Sequence, residues 1–249
     1  MTQFEQIFSK ACIVGSTMKL GIFDSGIGGE AVAASLQALL PEATIQVVND
    51  RKNVPYGSKT TEEVISLTHA AIQPLLEGNC DIIILACNTA SAAAIETLRT
   101  QYPEQDFIGF EPMVKPAAAL SKTGVIAVCA TPSTLASHRY AWLVEQYAKD
   151  TRIIEPDCSR WAYMIENNQI NRDNIASIVN DCCDAGADII VLGCTHYHWI
   201  KDLISEIAGE RAMILEPSEA IARRVQAIMS TKAASADITL TAASTPAAA

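Results

Sequence analysis

The chain turns on DIIILACNTAS, residues 81 to 91, and on its near echo DIIVLGCTHYH, residues 188 to 198. Each stretch opens on an acid, runs through a short apolar segment and delivers a cysteine flanked by small hydroxyl or amide residues. The apolar runs at 82 to 85 and 189 to 192 read as strands buried on both faces, the pattern of a parallel sheet covered by helices. Cys87 and Cys194 then sit where a strand gives out, the edge of an open α/β sheet at which ligands bind. Their separation is too long for one local motif and suits two similar α/β units. The cysteines therefore read as opposed partners across one site.

Opposed thiols suit one kind of chemistry. Inverting a stereocentre beside a carboxylate needs one group to take the α-proton from one face and another to supply a proton to the opposite face. A free cysteine has a pKa of roughly 8.5, so at neutral pH its neighbours must help it ionise or deliver its proton. His196, two residues beyond Cys194, is placed to do so.

Composition narrows the classes. The chain has 249 residues, 49% hydrophobic and 18% charged, enough to bury a core as one large domain or two smaller ones. A formal charge of −10 argues against a nucleic-acid partner, which demands a basic stripe. It does not argue against an anionic ligand, since backbone N–H groups at helix N-termini can hold a carboxylate. The eight cysteines include no C-x-x-C and no histidine pair at ligand spacing, so no metal is expected and reduced thiols of a cytoplasmic protein fit best. No apolar run approaches the ~20 residues of a membrane span, so no membrane partner is expected.

Along the chain, residues 1 to 18 form an N-terminal extension with no assignable motif. A strand at 19 to 23 opens into DSGIGG at 24 to 29 and a helical pattern, a general anion cradle in which Asp24 adds a carboxylate able to act on protons. A second strand at 44 to 48 leads to the turn of Pro55, Tyr56 and Gly57. One helix is expected over 62 to 77, and an alanine-rich helix over 91 to 99 whose dipole would favour a thiolate at Cys87. A strand ending in FEP at 110 to 112 marks a lobe boundary. The next strand, at 124 to 129, runs into ATPST, and the offset from Asp24 to Thr131 equals that from Cys87 to Cys194, which supports a pseudo-repeat. Vicinal Cys182 and Cys183 read as packing residues. The last helix is expected over 218 to 229, and the alanine-rich residues 231 to 249 as a disordered tail.

With those pieces placed, the chain resembles the glutamate racemases, the cofactor-independent enzymes that make D-glutamate for peptidoglycan. The matching segments are GIFDSGIGG at 21 to 29, VPYGSKT at 54 to 60, LACNTAS at 85 to 91, ATPST at 130 to 134 and LGCTHYH at 192 to 198. The resemblance implies two pseudosymmetric α/β lobes, each a mainly parallel sheet flanked by helices, with the active site between them. It implies a first lobe of residues 19 to 112 plus a returning strand and helix at 213 to 230, and a second lobe of 113 to 212. Cys87 and Cys194 match the two catalytic thiols, with Asp24 beside Cys87 and His196 beside Cys194. Glu166, eight residues after Cys158, matches the family's spacing for an acid near His196. Substrate would be met by Ser25, Pro55, Tyr56, Gly57, Asn88, Thr89, Thr131, Thr134 and Thr195.

Two departures stand out. Family members commonly carry an arginine two residues before the PYG turn; here that residue is Asn53, with Arg51 and Lys52 shifted ahead. The proline that usually follows CTHY is His198. Implied partners are glutamate as substrate, with a homodimer and a cell-wall precursor as activator left open. The rivals are an aspartate racemase, which typically has glutamate where His196 stands, a two-lobed binding protein without chemistry, and a pyridoxal enzyme, for which no lysine stands out.

Overall fold

The computed structural model describes residues 18 to 243; the extension before them and residues 244 to 249 lie outside this range. The first sheet comprises β1 (Lys19–Asp24), β2 (Thr44–Asn49), β3 (Ile82–Leu85) and β4 (Asp106–Gly109), in the order β2-β1-β3-β4. The second comprises β5 (Val125–Ala130), β6 (Arg152–Ile154), β7 (Ile189–Gly193) and β8 (Met213–Leu215), in the order β6-β5-β7-β8. Every pairing is parallel. The strand order reverses between β1 and β3 in one sheet and between β5 and β7 in the other. Ligand-binding crevices of α/β sheets open at such switch points.

Each strand splits its apolar residues between two faces, as the period of two requires. Ile82 and Ile84 join Leu20, Ile22 and Ile108 in a core with Val32 and Leu36 of α1 (Gly28–Leu39). Ile83 and Leu85 face the other way, against Val64 of α2 (Thr61–Ala71), Leu75 of α3 (Gln73–Glu77) and Ala94 and Leu98 of α4 (Asn88–Gln101). In the second sheet Ile190 and Leu192 pack on α9 (Arg172–Asp184) and α10 (Lys201–Ala208). Ile189 and Val191 pack on α5 (Val114–Leu120) and α7 (His138–Tyr147). The short helices α6 (Pro132–Leu135) and α8 (Trp161–Glu166) complete the second lobe.

The acids that open the two quoted stretches tie strand starts to their neighbours. Asp81 Oδ2 accepts from the N–H of Lys19 at 2.8 Å. Asp188 accepts from the Ser121 hydroxyl and from the N–H groups of Lys122 and Thr123, at 2.6, 2.6 and 3.0 Å.

Three expectations are corrected. The helix expected over 62 to 77 is two helices, because Pro74 has no N–H to continue the ladder. The strand at 213 to 215 does not return to the first lobe: β8 pairs with β7, and the N–H of Met213 donates to the Asp188 carbonyl. Only the following helix, α11 (Ser218–Ala243), crosses back, placing Ile221, Ala222 and Val225 in the first core. That helix also runs past 229, through alanine-rich chain whose backbone favours helix and which meets no proline before Pro246.

Candidate active site

The cleft between the lobes holds a cavity of about 300 Å³, lined by both sheets' carboxyl ends. It lies at the small end of ligand pockets and suits a small molecule rather than a dinucleotide. From the first lobe Ser25, Pro55, Tyr56, Gly57, Cys87, Asn88 and Thr89 open onto it; from the second, Thr131, Thr134, Glu166, Cys194, Thr195 and His196 do so. The sequence reading missed Val54, Ala162, Tyr163, Asn167 and Gly193, which also line it. Ala162, Tyr163 and Asn167 lie within a turn of Glu166 on or just past α8, and that proximity was the available signal.

Cys87 lies two residues past β3 and is the N-cap residue of α4, so the helix begins at Asn88 rather than at 91. Burial pushes its thiol up to about 11, as does the charge of Asp24, while the Ser25 hydroxyl and the N–H groups of Ala90 and Thr89 pull the other way. Ser25 Oγ lies 3.2 Å from Cys87 Sγ. Asp24 does not line the cavity. It is fully buried behind it, Oδ1 accepting from the N–H of Gly26 at 2.8 Å and Oδ2 from the Thr195 hydroxyl at 2.7 Å. Burial raises its pKa above the usual carboxylate value, against the pull of His196 and these hydrogen bonds. The hydrogen bond to Cys87 comes from Ser25, while Asp24, whose charge acts on Cys87, is hydrogen-bonded across the cleft to the residue after Cys194.

Cys194 directly follows β7 and leads into a 3-10 turn, Thr195–Ile200, rather than a full helix. Burial pushes this thiol well above its ordinary value. His196 Nδ1 lies 3.8 Å from Cys194 Sγ, and its Nε2 lies 2.8 Å from Glu166 Oε2. Burial alone would raise Glu166; the hydrogen bonds from His196, the N–H of Ile27 and Arg51 outweigh it and hold the carboxyl below its usual value. The ring is therefore gripped at one nitrogen and turned to sulfur at the other.

The glycines of DSGIGG serve this contact between lobes. A Cβ on Gly26 would lie 2.6 Å from His196 Nε2, and one on Gly28 would lie 2.8 Å from the carbonyl carbon of Thr195. The turn read in sequence as an anion cradle is also thin enough for the second lobe's CTH turn to seat on it. Across the cleft, Thr89 Oγ1 lies 3.4 Å from Thr131 Oγ1, which lies 3.0 Å from Thr134 Oγ1. Asn88 Oδ1 is buried with no hydrogen-bond partner among the described residues. The cysteines from Cys80 onward are free thiols, and no cluster of metal-ligating side chains occurs among the described residues.

Comparison with known proteins places this geometry. The Asp/Glu/Hydantoin racemase family model matches residues 30–245. A glutamate racemase of Herpetosiphon aurantiacus is 39% identical over 214 residues, 84% of this chain and 84% of that protein. Escherichia coli glutamate racemase, solved in complex with L-glutamate and the activator UDP-MurNAc-ala, superposes with a TM-score of 0.78 at 25% identity, over 85% of this chain and 82% of that one. The Aquifex pyrophilus glutamate racemase superposes with a TM-score of 0.66 at 30% identity, over 85% and 84%. The chain belongs to the Asp/Glu/Hydantoin racemase family.

Proposed function

We propose that Cys87 and Cys194 interconvert L- and D-glutamate by a two-base reaction without a cofactor. The chain is an amino-acid racemase by its relatives, and those relatives are glutamate racemases. The observation that carries the mechanism is the placement of the two thiols, each at the carboxyl end of a central strand beside a switch point, lining one small cavity from opposite lobes. In one direction the thiolate of one cysteine takes the α-proton, becoming a thiol and leaving a carbanion stabilised by the adjacent carboxylate. The opposite thiol protonates the other face and becomes the thiolate. The enzyme ends with its protons exchanged between sulfurs, ready for the reverse substrate.

The helpers differ. His196, aligned by Glu166, takes and returns the proton of Cys194 through Nδ1. At Cys87 the supports are the Ser25 hydroxyl and the α4 N-terminus. Asp24 holds Thr195, and so the turn that carries Cys194 and His196, and its charge favours the protonated form of Cys87. The substrate's carboxylates suit the α4 N–H groups, the hydroxyls of Thr89, Thr131 and Thr134, and the loop of Pro55, Tyr56 and Gly57. The leftover acceptor of Asn88 suits the ammonium.

The product would supply peptidoglycan synthesis in the cytoplasm; no helix among the described residues is long and apolar enough to cross a membrane. The activator bound by the E. coli relative makes a cell-wall precursor of that class an activator to test here. The deciding experiment incubates purified protein with L-glutamate and no cofactor, following ellipticity and α-deuterium uptake in deuterated water. Decay of ellipticity to zero with uptake at the α-carbon is expected, and faster than with L-aspartate. Unchanged ellipticity, or turnover only on adding pyridoxal phosphate, would overturn the proposal.

A further inference from the structure

The Glu166 carboxylate is held by donors from both lobes. Its Oε2 accepts from His196 Nε2 of its own lobe and from the N–H of Ile27 at 3.1 Å, while its Oε1 accepts from Arg51 Nε, also at 3.1 Å. Ile27 and Arg51 belong to the first lobe. We propose that Arg51 is a positioning residue for the Cys194 half of the reaction: it anchors Glu166 Oε1 across the cleft, so that Oε2 stays aimed at His196 Nε2 and Nδ1 stays free to serve the thiol. The proposal rests on the two-thiol mechanism above.

The local structure explains why Arg51 can reach. It lies in a 3-10 turn, Arg51–Asn53, separated from β2 by Asp50 alone. That turn is fastened at Asp50, whose N–H donates to the Asp24 carbonyl and whose carboxylate accepts from Asn53 Nδ2 at 2.9 Å on both oxygens and from the Tyr56 hydroxyl at 2.8 Å. Tyr56 is itself cavity wall. The backbone under Arg51 is thus tied to the floor of the site and its side chain spans the gap. The side chain is 59% exposed and that of Glu166 only 11%. A carboxylate that buried needs its partners to stay charged and oriented. The exposure of Arg51 keeps its effect modest, because solvent and salt screen it.

A positioning role makes a prediction that a structural role does not. The charged and titratable groups that act on Glu166 are His196 and Arg51, which favour its ionised form, and the buried Asp24, which repels it. Removing Arg51 lets the Glu166 pKa rise, so the acid limb of the kcat profile moves to higher pH. Arg51→Gln is expected to lower kcat about fivefold at neutral pH, the scale of one exposed ion pair, with KM changed less. Arg51→Lys should restore the position of the acid limb but only part of kcat, since an ammonium keeps the charge without the guanidinium geometry. In a Glu166→Gln background Arg51→Gln should add nothing. Arg51→Gln with wild-type kcat and acid limb, while Glu166→Gln and His196→Asn are slow, would overturn the role of Arg51 and leave the two-thiol mechanism standing. Full activity in His196→Asn would overturn the assignment of His196 itself, and the role of Arg51 with it.

Discussion

The two lobes share one frame and furnish it differently. Both have four parallel strands in equivalent order, and in both a cysteine follows the third strand of the chain order within two residues, at the switch point. Beyond the cysteine they part. Cys87 caps a helix of 14 residues and touches a serine hydroxyl. Cys194 enters a short 3-10 turn and faces an imidazole backed by a carboxylate. Two sheets of equivalent order give the thiols equivalent positions, and local chain geometry surrounds one with a helix N-terminus and a hydroxyl and the other with an imidazole and a carboxylate. Stereochemistry asks only that the thiols oppose one another. Their means of ionising are free to differ.

The largest effect should come from removing what the lobes have in common. Cys87→Ala and Cys194→Ala are each expected to lower racemisation by about 10⁴-fold or more, because a face of the α-carbon loses its only acid and base. Both variants should keep wild-type far-ultraviolet dichroism, since each thiol is small and no disulfide depends on it. Substantial turnover by either would break the comparison at its root. Next comes the relay. His196→Asn is expected to cost about 10²-fold in kcat, within the range of positioned proton transfer, and more than the loss of Ser25 on the other side. Equal losses at the two positions would show that the lobes are symmetric in chemistry as well as in fold.

The lobes differ again in how they meet. The turn after β1 carries glycines exactly where Thr195 and His196 press on it, whereas the turn after β5 is ATPST. Gly28→Ala would set a methyl 2.8 Å from the backbone of Thr195, which no rotamer change relieves. Overpacking of this kind costs about 1–3 kcal/mol, and a shift of the CTH turn should lower kcat by up to about 10²-fold. A variant with wild-type thermal midpoint and wild-type kcat would show that the lobes close with room to spare.

Much of the frame is legible in the chain because it is written in local pattern. The apolar runs ending at Leu85 and Leu192 announce buried strands, and residues chosen by motif from Ser25 to His196 open onto one cavity. What is not legible is direction and pairing between distant segments. Asp24 ends β1 and lies near Cys87, yet its carboxylate points to Thr195, and nothing in DSG records that. The tripeptide of β8 is too short to name its partner; the Asp188 carbonyl that receives Met213 settles it. Arg51, displaced from the position the motif favours, acquires a partner only because the second lobe brings Glu166 to it. Glycine gives the plainest case, since nothing in DSGIGG records that Gly26 and Gly28 leave room for the other half of the protein.

The smallest predicted effect tests the Cys87 side, where support is a hydroxyl and a helix end. Burial and the Asp24 charge raise the Cys87 thiol to about 11, and the Ser25 hydroxyl opposes them. At pH 7 to 9 the free enzyme thus holds Cys87 almost wholly as thiol, and a base-form requirement makes kcat/KM climb about tenfold per pH unit across that window. Ser25→Ala removes a stabiliser of the thiolate, so the Cys87 pKa rises further. Below the pKa the thiolate fraction falls by the same factor at every pH, so the curve should move down in parallel with unchanged slope. One hydrogen bond to a sulfur anion is worth about 1 kcal/mol net, or roughly fivefold. Because the equilibrium constant between enantiomers is one, kcat/KM must drop equally from L- and D-glutamate, and any asymmetry must appear in kcat and KM moving together. The measurement is a pair of pH profiles from each enantiomer for the two proteins. A profile that is flat from pH 7 to 9 in the wild type, or that Ser25→Ala leaves in place, would mean that another base takes the proton on the first-lobe face, and the contrast between the two thiols would have to be redrawn.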